Sequence, residues 1–248
     1  VIIRHNVNQG FAANFLLGLA HVGPSYRYYS FSDQDDIWLP HKLEHAIMIL
    51  NKQARHSGGP MLYCGRTMVT NQLGQTSTRM SPHFRKKPSF ANALVQSIAG
   101  GNTMVFNNAA RDVVLSTSPH QIISHDWWSY LAVSGVGGQV IYDPVPLVKY
   151  RQHGQNIIGS NNNMTARVKR LGKLFAGHFR KQISQNMEAL APLHGRLSAE
   201  NQKLLSAFLE VRNAPLFMRL IKAPALRVYR QTFLDQIGLR LGLIIGKF

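Results

Sequence analysis

Tyr28-Tyr29-Ser30-Phe31-Ser32-Asp33-Gln34-Asp35-Asp36-Ile37-Trp38-Leu39-Pro40 runs from an apolar segment through a knot of carboxylates into a second apolar segment. The pattern over Tyr26 to Ser32 predicts a strand, with the acidic knot at its C-terminal end. Pro40 suits the first turn of a helix, which the apolar spacing of Leu43, Ile47, Ile49 and Leu50 carries to about Arg55. Outward on the N-terminal side, residues 1–4 read as a β-branched strand and Asn6 to Gly10 as a polar loop. Phe11 to His21 reads as a helix with Phe11, Phe15, Leu16 and Leu19 on one face. Strand, helix, strand, helix in this order argues for an α/β domain with a largely parallel sheet. Ligands of such sheets bind beyond the carboxyl ends of strands, which is where the acidic knot falls.

The knot is unusual for this chain. Residues 1–164 hold seven acidic side chains: Asp33, Asp35, Asp36, Glu44, Asp112, Asp126 and Asp143. Three of the seven lie within four positions. Carboxylates this close repel one another unless a cation sits among them. Mg²⁺ or Mn²⁺ would suit, since hard divalent ions take carboxylate oxygens and keep positions open for substrate phosphates. The plainer alternative is an acidic turn without an ion.

Downstream, Met61 to Val69 reads as a strand and Asn71 to Lys87 as a polar, basic excursion. Phe90 to Ile98 reads as a short helix, Thr103 to Phe106 as a strand, and a helix follows from about Asn108. Trp127 opens a helix to about Val133, and Gln139 to Tyr142 and Pro144 to Arg151 read as strands. Three further constellations stand out. Asp126, in Ser-His-Asp-Trp-Trp, could be a general base with a raised pKa beside the Trp rings, or an N-cap. His153, in Tyr-Arg-Gln-His-Gly, could add a nitrogen ligand to the same cation, with Arg151 gripping phosphate; otherwise it is a solvent-facing loop histidine. Gly100 and Gly101 let a backbone approach a ligand closely, or form a plain turn. His41 and His45 lie four apart on a predicted helix but lack the glutamate of a zinc-protease pattern, so a solvated helix face is expected there.

Composition narrows the classes. The 248 residues carry 28 Lys plus Arg against 11 Asp plus Glu, a formal net charge of +17. Residues 165–248 supply 15 of the basic and 4 of the acidic groups. Such a surface seeks polyanions. No zinc-finger spacing, RNP-type aromatic motif or basic-zipper heptad is present, so nucleic acid is not the expected partner. Cys64 is the only cysteine. It excludes an internal disulfide and a cysteine zinc site, and a buried inert thiol in a reducing compartment is expected. No window of about 18 uncharged apolar residues exists for a membrane span. The chain opens on Val1-Ile2-Ile3 without Met, as expected of a piece cut inside a domain.

Taken in order, Asn6-x-x-x-Gly10-x-x-x-Asn14, Phe-Ser-Asp-Gln-Asp-Asp-Ile-Trp-Leu-Pro-x-Lys-Leu, Gly100-Gly101-Asn102-Thr103, His-Asp-Trp-Trp and Tyr-Arg-Gln-His-Gly-Gln-Asn resemble family 2 glycosyltransferases of the GT-A fold. The nearest likeness is to the bacterial rhamnosyltransferase-like branch that builds O-antigen and capsule polysaccharide. The resemblance implies a Rossmann-like, mostly parallel sheet flanked by helices over 1–160, with the first strand and the nucleotide-base segment missing, and a basic helical region over 161–248. It implies that Asp33 and Asp35 hold a divalent cation (Mg²⁺ or Mn²⁺) with His153, and that Asp126 is the catalytic base. His125 stands where the family motif has Glu. Asp33, Asp35, Asp36, Asn6, Gly10, Gly100, Gly101 and Arg151 are implied in donor binding. The implied reaction is a single inverting transfer from a nucleotide sugar, dTDP-rhamnose or a UDP-hexose, to a polyprenyl-linked saccharide. The implied location is the cytoplasmic face of the plasma membrane.

The last 83 residues read as helices in which Leu216, Phe217, Leu220, Ile221, Leu239, Leu241 and Leu243 recur among Arg219, Lys222, Arg227, Arg230 and Arg240. Basic amphipathic helices of this kind lie on an anionic membrane surface or fold back onto the domain. A module without catalysis that binds anionic lipid or nucleic acid is the alternative to an enzyme. It predicts no sugar transfer and salt-sensitive binding that survives Asp35→Ala.

Overall fold

The computed structural model describes residues 8–55, 58–71, 74, 76–151 and 177–248. Strand β3 (Met61–Thr70) is the spine of the sheet. Its side chains alternate between two faces, as a strand requires. Leu62 and Cys64 enter the larger core with the buried residues of helices α1 (Phe11–Val22), α4 (Asn108–Val114) and α5 (His125–Gly135). Met61 and Tyr63 face the other way, onto Ala46 and Leu50 of α2 (Lys42–Ala54). Helices therefore cover both faces, and the α/β class stands.

The strand directions differ from the expected mostly parallel sheet. The order is β1 (Tyr28–Ser30), β5 (Val105–Asn107), β3, β6 (Gln139–Arg151), β2 (Ile37–Trp38), with β4 (Thr76–Met80) paired to β3. Among the described residues only β3 and β6 pair in parallel; the other four pairings are antiparallel. Short reversals explain this. The excursion after β3 folds back on it as β4, and β2 and β5 are two- and three-residue strands entered from tight turns. The two runs expected before and after Pro144 form one strand, β6. Pro144 and Pro146 cannot donate to the ladder, so its register slips between Gly65 opposite Asp143 and Arg66 opposite Pro146. The expected helix at 90–98 is a single turn, α3 (Phe90–Ala93). The expected strand at residues 1–4 and the linker at 155–165 lie outside the described residues.

Helix α5 is buried on all sides except at Asp126. The expectation that two Trp rings flank this carboxylate gives way to a different arrangement. Trp127 donates to the Ala93 carbonyl at 2.7 Å, and Trp128 donates to the Val114 carbonyl at 2.8 Å. Both rings are spent on the core.

Among the described residues, four C-terminal helices follow: α6 (His178–Leu190), α7 (Ala199–Asn213), α8 (Leu216–Ala225) and α9 (Phe233–Ile244). Leu193, Leu205, Phe208 and Val211 belong to the same core as Trp128 and Leu131. Asn201 at the start of α7 donates to the carbonyls of Ser134 and Gly135, at 3.0 and 2.8 Å, and so satisfies the open end of α5. Asn92 reaches the Tyr229 carbonyl at 2.9 Å. Fold-back is thus realised for much of this region. Phe208→Ala, at a fully buried site in α7, is expected to cost about 3–5 kcal/mol. A chemical denaturation should show one transition for the whole chain; two independent transitions would contradict the shared core.

Candidate active site

The acidic loop leaves β1 at one edge of the sheet and reaches β2 at the other, so it crosses the end of the sheet. Its anchor is Asp36. One carboxylate oxygen accepts the backbone N–H of Arg151, the last residue of β6, at 3.1 Å. The other accepts a close hydrogen bond from the side-chain amide of Asn102. One carboxylate therefore joins the loop, the end of β6 and the Gly100–Thr103 turn. Burial raises its pKa; the Asn102 and Arg151 hydrogen bonds work against that, and the Asp35 charge adds to it.

Asp33 bears the cost of burial and of crowding. Its pKa is raised to about 6, first by burial and then by the charges of Asp36, Asp35 and Asp126. Asp126 lies more than ninety positions away in the chain, yet the fold brings it within electrostatic reach of the knot. The helix cap position belongs to Ser124, so the N-cap reading of Asp126 does not hold. One of its oxygens accepts the Trp127 N–H at 2.7 Å. The fold thus brings Asp33, Asp35, Asp36, Asp126 and Arg151 to one place, with Gly100 and Gly101 alongside through Asn102.

Gly101 is required by a neighbour. A Cβ there would lie 2.2 Å from Nε2 of His125. His125 is buried, stacked on Phe15 at 3.9 Å and set edge-on to Phe31 at 4.9 Å. Burial lowers its pKa, opposed by Asp126. The ring thereby wedges α1, the acidic loop and the glycine turn against α5. Gly10 precedes α1 with φ of 83°, a conformation that favours glycine. Asn6 and His153 lie outside the described residues.

The sequence pattern alone gives Lys42 no role. It is fully buried, and its ammonium donates to Ser30 Oγ at 3.1 Å and lies 3.3 Å from the Trp38 ring centroid. Burial pushes its pKa down to about 7 while Asp36 pulls the other way. The available signal was spacing: Lys42, Ala46 and Leu50 form the buried stripe of α2. The expected solvated face at His45 is also corrected. Its Nε2 lies 2.6 Å from Asp143 Oδ2, which also accepts from Tyr63 at 2.9 Å.

Among the described residues no group of three His, Cys, Asp or Glu is arranged to hold a metal ion. The donor chemistry nevertheless fits a hard cation. Asp36 is engaged on both oxygens, and Asp33 pays for its neighbours' charge, a cost that a cation would relieve.

The sequence pattern of glycosyl transferase family 2 matches residues 1–114. The match takes in the acidic loop and Gly100–Gly101 but stops before Asp126. The chain is similar to the dTDP-rhamnosyl transferase RfbG of Shigella flexneri, with 29% identity over 175 residues, 67% of this chain and 57% of the relative. It is also similar to the uncharacterized glycosyltransferase RT0329 of Rickettsia typhi, with 25% identity over 167 residues, 64% of this chain and 49% of the relative. The chain thus spans about half the length of these curated relatives. No solved structure matches it.

Two expectations test the acidic site. Asp33 binds its proton more tightly when folded, so the metal-free protein loses stability as pH rises from 3.8 through about 6. Asp33→Asn, melted in EDTA, should be more stable than wild type at pH 8, by on the order of 1 kcal/mol after solvent screening, and equal to it at pH 4. A loss at pH 8 would contradict the raised pKa of Asp33. Gly101→Ala should cost about 2 kcal/mol. In a double-mutant cycle, His125→Ala should recover about half of that or more; strict additivity would mean the ring does not press on the turn.

Proposed function

We propose that this chain is the catalytic part of an inverting glycosyltransferase that moves rhamnose or a hexose from a nucleotide sugar to a growing, lipid-linked cell-surface polysaccharide. The observation that carries the reading is the convergence of Asp126 on the Asp33–Asp36 loop, because a transferase needs a proton acceptor beside its diphosphate site. The name of the Shigella flexneri relative favours dTDP-rhamnose as the donor, with a UDP-hexose second.

The chemistry assigns the roles. An acceptor hydroxyl attacks the anomeric carbon as its bond to the nucleoside diphosphate breaks, and one attack from the opposite face inverts that carbon. Asp126 takes the hydroxyl proton as the oxygen attacks. Bound Mg²⁺ or Mn²⁺, held by Asp33 and Asp35 with His153, would supply charge neutralisation to the departing diphosphate. Arg151, whose charge already bears on Asp36, offers a guanidinium to the donor phosphates. Asp36 and Asn102 keep the loop in register with the glycine turn. Asn6, Gly10, Gly100 and Gly101 complete the donor cradle. The acceptor is a polyprenyl-linked saccharide, and the enzyme works at the inner face of the plasma membrane. No described helix is long and apolar enough to cross a membrane.

Sugar transfer from dTDP-rhamnose, followed as release of the nucleoside diphosphate, tests the reading. EDTA should stop turnover and Mn²⁺ should restore it. Asp126→Asn should lower kcat by about a hundredfold or more with little change in the donor KM. Full turnover in EDTA, or by the Asn variant, would refute the assigned roles.

A further inference from the structure

The exposed apolar surface is concentrated in one place. Among the described residues, nine of the sixteen large exposed hydrophobic side chains lie on α8, α9 and the residue that ends α9. On α8 they are Leu216, Phe217, Leu220 and Ile221, one stripe at helical spacing. On α9 the foremost are Phe233, 77% exposed, and Leu234, 61% exposed. Phe217 on α8 is 70% exposed. The inner sides of the same helices are packed: Ala223, Leu239 and Leu243 belong to the core.

The two helices are held together firmly. Arg240 of α9 donates to the carbonyls of Ala223 and Leu226 at the end of α8, the latter at 2.9 Å. Arg219 of α8 donates to Ala214 at 2.6 Å and to Ile244, at the end of α9, at 3.4 Å. Main-chain carbonyls that would otherwise lack partners at these helix ends are thereby satisfied. The apolar stripes are thus presented by a braced pair of helices.

Charge selects the partner. Residues 214–248 carry six Lys or Arg and one acid, Asp235. Asp235 accepts from the Thr232 hydroxyl at 2.7 Å and keeps its charge, and Lys222 pairs with Glu210; the segment stays net positive. A second copy of the chain would bring the same net positive segment against itself, which is repulsive. An anionic bilayer offers what the stripes and the net positive charge need: an apolar interior and negative headgroups. At 10 and 12 residues, about 15 and 18 Å, α8 and α9 are too short to span a hydrocarbon core of about 30 Å, so they must lie in its surface.

We infer that the α8–α9 pair is an interfacial membrane anchor that seats Phe217 and Phe233 among the acyl chains of an anionic leaflet. The inference deepens the inner-face reading above and rests on it for location alone.

Flotation of the full chain with vesicles tests the inference, using phosphatidylcholine alone and an equal mixture of phosphatidylcholine and phosphatidylglycerol. The chain should float with the mixed vesicles and stay behind with the neutral ones, and added salt should weaken binding. Phe217→Glu and Phe233→Glu should each weaken binding about tenfold or more. Both sites are solvent-facing, so unchanged far-ultraviolet circular dichroism and melting should confirm that the variants fold. Equal flotation of wild type and the double variant would overturn the proposal. So would equal binding to neutral vesicles, or a dimer in solution that the double variant abolishes. Flotation is read without donor, so a chain that binds but transfers nothing fails the transferase reading alone. One that transfers but ignores vesicles fails the anchor alone.

Discussion

The site rests on one constraint: four carboxylates held close together in a chain poor in acids. Asp36 makes the crowding tolerable by spending both oxygens on hydrogen bonds, one from Asn102 and one from the end of β6. Asp33 keeps a raised pKa, first from its own burial and then from its neighbours' charges. Buried Lys42 beneath the loop adds a positive charge where its own burial disfavours it. These features describe a loop built around negative charge. A structural turn would avoid the repulsion by using fewer acids.

The scaffold around the loop follows from the same need. The loop touches α1, the glycine turn, β6 and α5, and His125 wedges these segments together through its stacking on Phe15 and its contact with Gly101. Helix α5 can hold Asp126 steady because the rest of it is buried and its C-terminal carbonyls are bonded by Asn201. The C-terminal helices therefore serve the site at a distance. They complete the core that fixes α5 while turning a separate apolar face outward.

Much of this was legible in the chain. The acidic loop, helices α1, α2, α4 and α5 and the spine strand β3 were each marked by apolar spacing or by Pro and Gly. Strand direction was not, because a two-residue strand such as β2 has no period to read; only its pairing with Val148 and Lys149 defines it. The partners of Asp36 were hidden too, since Asn102 and Arg151 are distant in sequence and hydrogen bonds across such gaps leave no local pattern. Lys42 was obscured by its own type. Lysine on a helix reads as solvent-facing, and only its place on the stripe with Ala46 and Leu50 argues otherwise. His45 misled for the same reason, its Asp143 partner lying 98 positions away.

We propose that burial and crowding prepare Asp33 and Asp35 for a divalent cation. Mn²⁺ binding at pH 8, followed through the free-ion electron paramagnetic resonance signal, tests it without donor or acceptor. The account predicts binding by wild type, weakened about tenfold or more by Asp33→Asn and by Asp35→Asn. Equal Mn²⁺ affinity in wild type and both variants would contradict it.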